Sequence, residues 1–347
     1  MKKFFTVAAS LILSAAMLTA CGSSAAPAAT TGAPETTAAA VTQAPETTEE
    51  TKSFHIAIVQ QLDHASLDEI RLAVEDELTK AAADKGFQVS YKEFNGQNDN
   101  TVLNQIGAQV VSDKYDAIIP IASLAAQCMV TAADGTNTPI IYAAVSDPAT
   151  AGLTDIPNVT GTSDALNTAF ILDMMLAAQP DVKTVGLLYS NSEANSQTPI
   201  AQAKEYLEQK GIAYIEKTGN STDEILTAAS SLVGRVEAVF TPTDNVVMAC
   251  EGAVAEILNQ AGIAHYTGAD SFVAAGAFTT SGVNYTELGT YTADMAVDIL
   301  LGGAVPEYHV MDGGIITVNT DTAEALGIDY SVFKTMANTV TEVTTVE

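Results

Sequence analysis

FHIAIVQQLDHASLDEIRLAVEDELTKAAADKGFQVSYKEF, residues 54–94, begins with a short apolar run and ends with a second run of strand-forming residues. Between them, around 66–84, apolar residues recur with the spacing of a helix, and Gly86 is the type of residue on which helices end. A strand, a helix and a second strand in this order are typical of a parallel sheet covered by helices. The stretch therefore predicts an α/β fold.

The same alternation continues along the chain and occurs in two halves. Local sequence is repeated as well, because Lys85-Gly86-Phe87 corresponds to Lys210-Gly211-Ile212. We therefore predict two Rossmann-like α/β lobes with parallel sheets; the prediction of two lobes does not depend on their being duplicates. The further strands are expected at DAIIPI (116–121), IIYAAV (140–145), KTVGLLY (183–189), GIAYIEK (211–217), EAVF (237–240) and AHYTGA (264–269), with helices near 99–113, 123–134, 196–210, 222–233 and 245–261.

Two later segments are expected to connect the lobes again. NYTELGTYTADMAVDILLGG (284–303) predicts a helix that crosses back to the first lobe, and ITVNTDTAEALGI (316–328) predicts a strand and a helix that return to the second. A chain that crosses repeatedly between two lobes forms a multi-strand hinge, and a hinge leaves a cleft. We expect lobe 1 to comprise 54–162 with about 284–308, and lobe 2 to comprise 163–283 with about 309–340.

The N-terminal region is predicted to be a targeting segment and a tether. Lys2 and Lys3 precede a short apolar stretch, and Leu18-Thr19-Ala20-Cys21 places small residues directly before a cysteine. Residues 1–20 resemble a bacterial lipoprotein signal peptide, which implies that Cys21 receives the lipid. The alternative is an ordinary secretory signal with an incidental cysteine. Residues 21–53 would then be a disordered Ala/Thr/Pro-rich tether, because they contain almost no large apolar side chain.

Composition excludes several classes of function. The formal net charge of −28 repels phosphate backbones, so we expect no nucleic-acid partner. Cys128 and Cys250 lie in apolar helical stretches, which indicates core residues rather than a disulfide or metal site. Four scattered histidines indicate no metal cluster, and no nucleophile, zinc or phosphate-binding motif is present. We therefore expect no metal, no cofactor, no catalytic residues and no enzymatic activity.

Ligands of open α/β sheets bind beyond the carboxyl ends of the strands, so the loops there contain the candidate site. Ser123 begins a helix that has no acid in its first turn, and such a helix start favours a carboxylate. The corresponding loop in the second half, TPTDN (241–245), contains Asp244, whose carboxylate suits a cation. The alternative is that Asp244 or Thr243 only caps its helix. Two facing lobes would then offer opposite charges to one small zwitterion.

Five segments resemble one family when they are taken together. HIAIVQQLDHASLDEIR, YAAVSDPATAGLTDIPNVTG, VGLLYSNSEANS, VFTPTDNVV and NYTELGTYTADMAVDILLG are similar to extracytoplasmic solute-binding proteins of ABC importers. These have the type I periplasmic-binding-protein fold, and the segments resemble the branch that binds tryptophan and other aromatic amino acids. The resemblance covers about 54–330 and implies ligand-binding roles for His64, Ser123, Asp147, Asn191, Glu193, Asn195, Asp244, Asn245 and Tyr285.

The resemblance also assigns roles within that set. Ser123 and the N–H groups after it would hold the ligand carboxylate. Asp244, helped by Glu193, would hold the ammonium, and Tyr285 would contact the ligand side chain. The alternatives are a surface histidine at position 64 and a helix-capping role for Glu193 or Asn195.

The chain departs from the family pattern at the second lobe crossing. Relatives usually have Thr-Tyr-Gly-Ile-Asp-Tyr-Tyr where this chain has Thr280-Ser281-Gly282-Val283-Asn284-Tyr285-Thr286. Two aromatic rings and one carboxylate are thereby lost. Ala269-Asp270 stands where Asp-Glu is expected, and the chain contains no tryptophan. We therefore expect a wider and more polar pocket.

Three functions follow from these patterns. The first is a monomeric, lipid-anchored extracytoplasmic receptor that captures an amino acid, expected to be aromatic, and delivers it to an ABC permease. The alternative is a sensory lipoprotein that uses the same binding residues to signal to a membrane receptor. An extracellular enzyme on a two-lobe scaffold is the third. The sequence specifies neither the exact ligand nor whether an outer membrane surrounds the compartment.

Replacing Cys21 with Ser should release the protein from membranes, because the side chain that accepts the lipid is lost. Cell fractionation and immunoblotting would detect the protein in the soluble fraction. Cys128→Ser is the control variant and should remain with the membrane. Membrane retention of the Cys21→Ser variant would refute the lipid anchor.

Overall fold

The central strand of the first sheet shows why the sheets are parallel and covered on both faces. In the computed structural model, which describes residues 51–346, strand β1 spans Ser53–Gln60. Ile56 and Ile58 pack on one face, Ala57 and Val59 pack on the other, and all four are fully buried. Because successive side chains of a strand point to opposite faces, a run of apolar residues requires cover on both sides.

The first sheet has six strands in the order β11-β5-β4-β3-β1-β2. All of its pairings are parallel. Besides β1, its strands are β2 (Gln88–Asn95), β3 (Ala117–Ile121), β4 (Ile140–Tyr142), β5 (Val159–Ser163) and β11 (His309–Val310).

The second sheet has seven strands in the order β13-β12-β10-β9-β8-β6-β7. Only the β10–β12 pairing among these described strands is antiparallel. The order β10-β9-β8-β6-β7 repeats the order β5-β4-β3-β1-β2 of the first sheet. The strands are β6 (Thr184–Tyr189), β7 (Ala213–Thr218), β8 (Ala238–Thr241), β9 (Ala264–Thr267), β10 (Thr279–Gly282), β12 (Ile315–Asn319) and β13 (Val340–Val343).

Eleven α-helices and one 3₁₀ helix (Ser331–Thr335) are described beside the two sheets. Gly86 and Gly211 adopt the left-handed conformation just after α1 and α5, which confirms the predicted helix ends. None of the described helices combines the length and the apolar character needed to cross a bilayer. The helices are α1 (Ala65–Lys85), α2 (Asn100–Asp113), α3 (Ser123–Ala132), α4 (Thr168–Ala178), α5 (Ala194–Lys210), α6 (Thr222–Leu232), α7 (Asn245–Met248), α8 (Glu251–Gln260), α9 (Asp270–Ala274), α10 (Tyr285–Leu300) and α11 (Thr320–Leu326).

The chain passes between the two sheets three times: after β5, after β10 and after β11. Helix α10 packs on α1 of the first lobe, as the sequence predicts. Strand β11 pairs with β5, so His309 and Val310 lie in the first sheet and the return to the second lobe comes after 310 rather than at about 309. The two α/β lobes with mainly parallel sheets confirm the predicted fold class.

Other sequence-based expectations differ from the structure or lie outside it. The helix expected over 245–261 is two helices, because the backbone turns at Ala249 and Cys250 between α7 and α8. Helix α4 was not predicted. The predicted signal peptide, the predicted lipidation site Cys21 and nearly all of the predicted tether lie outside the described residues.

Gly289 allows α10 to approach α1 closely, and this gives a test of the packing. A Cβ at this position would lie 2.6 Å from the carbonyl oxygen of Ile70 and 2.8 Å from the Cβ of Ala73. We expect Gly289→Ala to lower the free energy of unfolding by about 1–2 kcal/mol, because the overpacking outweighs the gain in helix propensity. Urea denaturation monitored by circular dichroism would measure the change.

The matched control is Gly252→Ala in α8, where the nearest atom to an added Cβ is 3.9 Å away. This variant should be more stable than the parent by about 0.5–1 kcal/mol. Equal effects of the two substitutions would show that α10 does not depend on close contact with α1.

Candidate functional site

A small cavity lies where loops after the strands of the first lobe face loops of the second. Its volume is about 20 Å³, which is room for about one water molecule. Hydrogen bonds join the lobes around it: Ser66 Oγ donates to Ser271 Oγ at 2.6 Å, and the hydroxyls of Ser146 and Thr243 are 3.1 Å apart. The cavity is lined by His64, Ser66, Leu67, Ala122, Ser123, Ala144, Ser146, Asp164, Asn195, Thr243, Asp244, Asn245, Met248, Ala269, Ser271, Phe272 and Tyr285.

At two alanines the first-lobe backbone bends towards this cavity. Ala122 and Ala144 have φ values of 75° and 54°, a left-handed conformation that residues other than glycine rarely adopt. Ala122 directly precedes α3, so the turn brings Ser123 and the start of that helix to the cavity wall. The N-cap residue Ala122 offers no capping side chain, and the first turn of α3 contains no acid. The N–H of Leu124 in that turn donates to the neutral amide oxygen Gln61 Oε1 at 3.1 Å. The start of α3 therefore presents partial positive charge to the cavity.

Asp244 organises the second-lobe wall. Its Oδ1 accepts from the backbone N–H groups of Val246 and Val247, each at 3.1 Å. Its Oδ2 accepts from the N–H of Ser190 and the hydroxyl of Ser196, each at 2.7 Å. A carboxylate has about four lone-pair positions, and all four are used here. Asp244 therefore caps α7 and joins it to the β6–α5 loop, and no lone pair remains for the cation that the sequence-based interpretation assigned to it.

Glu193 lies one layer behind the cavity and connects the lobes. Its Oε1 accepts from Gln61 Nε2 of the first lobe at 3.0 Å, and its Oε2 accepts from Asn245 Nδ2 at 2.6 Å. Burial, followed by the charge of Asp244, raises the pKa of Glu193 to about 8. Burial also raises the pKa of Asp244, but its three backbone donors cannot reverse their roles, so Asp244 is the carboxylate that stays ionised.

Two buried acceptor atoms on the cavity wall have no hydrogen-bond partner. These are Nδ1 of His64 and Oδ1 of Asn195. The other nitrogen of His64, Nε2, contacts Asn245 Oδ1 at 3.0 Å. Burial lowers the pKa of His64, which keeps its ring neutral at neutral pH. A ligand with N–H donors would satisfy both unpaired atoms.

Asp164 and Tyr285 form the hinge-side wall. Asp164 accepts from Ser146 Oγ at 2.8 Å and from the Tyr285 hydroxyl at 3.2 Å. Burial raises the pKa of both Asp164 and Tyr285, so the tyrosine stays protonated. The same pair borders a second cavity of about 600 Å³ that is lined by the three connecting segments, Phe170 and residues 334–338.

The structure brings together most of the residues expected at the site. His64, Ser123, Asn195, Asp244, Asn245 and Tyr285 line the small cavity, and Glu193 contacts one of them. Asp147 and Asn191 do not line it. Asp147 accepts from Thr150 and Thr198, whereas Asn191 donates to Thr218 on the surface of the second lobe.

Sequence reasoning missed Gln61, Asp164 and Phe272. Gln61 is fully buried after β1 and Asp164 is buried after β5, so the rule that sites lie beyond strand ends points to both. Phe272 in α9 has no comparable signal, because a buried aromatic residue in a short helix is usually part of a core. Within residues 51–346, no three or more His, Cys, Asp or Glu side chains are grouped to hold a metal ion.

Comparison with known proteins gives consistent matches. A family model described as ABC transporter substrate binding protein matches residues 55–339. A tyrosine-binding protein of Clostridioides difficile (strain R20291) is 32% identical over 290 residues, which cover 80% of this chain and 82% of that protein.

Solved structures with the type I periplasmic-binding-protein fold match as well. An ABC domain from Streptococcus pneumonia in complex with L-Trp has a TM-score of 0.78 at 29% identity, covering 83% of this chain and all of that one. The ligand-free, open structure of a substrate-binding protein with adhesive properties from Clostridium difficile has a TM-score of 0.64 at 32% identity, covering 84% and 100%.

The dense hydrogen bonding of Asp244 predicts a large structural role. We expect Asp244→Ala to lower the free energy of unfolding by at least about 3 kcal/mol, because four buried donors lose their acceptor and each costs about 1–3 kcal/mol. Asp147→Ala is the matched control. Asp147 is only partly buried, so water can replace it and the loss should be about 1 kcal/mol. Similar losses in urea denaturation would contradict this account of Asp244.

Proposed function

The chain belongs to the family of ABC transporter substrate-binding proteins, and from this premise we propose that it captures an aromatic amino acid between its two lobes. The observation that carries the proposal is the small cavity. There the start of α3 in the first lobe, which has no acid in its first turn, faces the unpaired acceptor Asn195 Oδ1 of the second lobe, with the unpaired acceptor His64 Nδ1 beside them. A zwitterion has a carboxylate for the start of α3 and an ammonium group for the two unpaired acceptors.

Each part of an amino acid has a partner of suitable chemistry. The carboxylate is assigned to Ser123 Oγ and to the N–H groups at the start of α3 other than that of Leu124, which donates to Gln61. The ammonium is assigned to His64 Nδ1 and Asn195 Oδ1, with the negative charge of Asp244 directly behind them. The side chain is assigned to the apolar wall formed by Leu67, Met248 and Phe272. Relatives named for tyrosine and solved with L-Trp support the aromatic class.

Capture requires the lobes to separate and close again. A cavity of about 20 Å³ does not admit an amino acid, whereas ligand pockets are typically about 300–1,000 Å³. The three connecting segments provide the hinge for this movement. Contacts such as Ser66–Ser271 and Ser146–Thr243 would break on opening and form again around the ligand.

Delivery and location complete the proposal. Substrate-binding proteins of ABC transporters are extracytoplasmic. A lipid on Cys21 would keep this chain at the membrane surface, where the closed lobes would pass the amino acid to a permease for import. The chain would act as a monomer, with one ligand in the cleft between its two lobes.

Binding should require both charged groups of the ligand. We expect L-tyrosine or L-tryptophan at a hundred times its dissociation constant to raise the free energy of unfolding by about 2.7 kcal/mol. Tyrosinamide lacks the carboxylate and 3-(4-hydroxyphenyl)propionate lacks the ammonium, so neither should bind comparably. Thermal unfolding and isothermal titration calorimetry would measure these effects. If no zwitterionic amino acid stabilises the protein against unfolding, the proposal is ruled out.

Two asparagines four positions apart provide a matched pair of variants. Asn195→Ala removes an acceptor from the cavity wall and should weaken L-tyrosine binding at least roughly tenfold. Asn191→Ala, which alters only a surface contact with Thr218, should leave the affinity unchanged. Equal affinities of the two variants would remove Asn195 from the site.

A further inference from the structure

The amide of Asn245 can satisfy its two partners in either of two orientations, whereas the amide of Gln61 can satisfy its partners in only one. The backbone N–H of Leu124 donates to Gln61 Oε1 at 3.1 Å, which fixes the Gln61 amide so that its nitrogen must donate to Glu193. The side chain of Asn245 lies between Glu193 Oε2 and His64 Nε2. Each of these two atoms is able to donate or to accept, depending on where its proton is.

The charge of Glu193 selects between the two orientations. When Glu193 is ionised, Asn245 Nδ2 donates to it and Asn245 Oδ1 accepts from His64 Nε2–H. The neutral histidine then has a bare Nδ1 on the cavity wall. When Glu193 is protonated on Oε2, the amide is reversed: Oδ1 accepts from Glu193 and Nδ2 donates to His64 Nε2. The proton of His64 is then on Nδ1, which becomes a donor.

We propose that Glu193 is a positioning residue that sets, through Asn245, whether His64 offers the ligand an acceptor or a donor. An ammonium group selects the acceptor form, so its binding drives the proton off Glu193 and into the solvent. The proton balance is simple: Glu193 changes from carboxylic acid to carboxylate, His64 moves its single proton from Nδ1 to Nε2, and one proton is released. The ammonium ligand in this inference rests on the proposed function.

The surroundings place the exchangeable proton on Glu193 rather than on its neighbours. Asp244 is the charged group that faces Glu193, and its backbone donors hold it ionised. Asp63 and Asp68 are the charged groups that act on His64, but burial has the larger effect and keeps the ring neutral. Burial and the charge of Asp244 raise the pKa of Glu193, which favours the protonated acid in the closed form when no ligand is bound.

His64 lies in the first lobe and Asn245 in the second, so the relay operates in the closed form that this structure shows. The ring nitrogens of His64 report on that form before any ligand binds. In ¹⁵N NMR spectra of the full chain, His64 should carry its proton on Nδ1 at pH 6 and on Nε2 at pH 9. Glu193→Gln should keep the proton on Nδ1 at both pH values, because the amide NH₂ that this substitution introduces requires the reversed Asn245. His265 is an internal control, since Glu251 and Thr241 hold its two nitrogens at 2.9 and 2.8 Å. An unchanged His64 tautomer in the parent protein overturns the inference.

Proton release tests the link to ligand binding. Calorimetric titration with L-tyrosine at pH 7 in two buffers of different ionisation enthalpy should show close to one proton released per ligand. Glu193→Gln should release none and should bind L-tyrosine at least roughly tenfold more weakly, because a donor then faces the ammonium. Its affinity for 3-(4-hydroxyphenyl)propionate, which has no ammonium, should not fall. Equal proton release by the two proteins overturns the inference.

A second variant, Asn245→Ala, keeps the inference testable if Glu193→Gln does not fold. Asn245→Ala breaks the connection, so the His64 tautomer should no longer follow pH between 6 and 9. A tautomer that still changes in Asn245→Ala would show that the relay does not pass through Asn245. A tautomer that follows pH in the parent, together with no binding of any amino acid, would reject the proposed function and leave the relay intact.

Discussion

The site depends on one buried carboxylate with four hydrogen-bond donors. Asp244 joins the end of β6 through Ser190, the first turn of α5 through Ser196 and the start of α7 through two backbone N–H groups. Burying a charge is unfavourable unless hydrogen bonds satisfy it, and here every lone pair is satisfied. The second-lobe wall is therefore rigid, and Asn195 and Asn245 take their positions from it. The negative charge of Asp244 remains at the cavity wall.

The second-lobe wall faces the first lobe, so a ligand between the two lobes can contact both. Three connecting segments hold the lobes together, and polar side chains that face each other across the gap hydrogen-bond directly, among them Ser66 with Ser271 and Ser146 with Thr243. Such contacts are individually weak and exchange readily with water. A ligand that bridges the lobes therefore has the opportunity to shift the balance between open and closed forms, provided that it binds the closed form more tightly.

The sequence predicted the alternation of strands and helices well, because strands buried on both faces, such as β1, are continuous apolar runs. It did not predict α4, whose residues are almost uniformly apolar and so show no helical period, or the break between α7 and α8, across which the apolar pattern continues. The expectation that the chain is not an enzyme is confirmed by the family to which it belongs. At the site, residue types and loop positions indicated Ser123 and Asp244, and the family resemblance implied four more of the lining residues. The contacts that set their roles, such as Gln61 with Glu193, join residues 132 positions apart and have no local signal.

The central claim is that an aromatic amino acid is held between the lobes with its two charged ends on different partners. A crystal structure of the protein with L-tyrosine would test this claim most directly. The account predicts the ligand carboxylate within hydrogen-bond distance of Ser123 and the start of α3, and the ammonium beside His64 Nδ1 and Asn195 Oδ1. Tyrosine bound in the cavity of about 600 Å³ beside Phe170, or with its ends reversed, would contradict it.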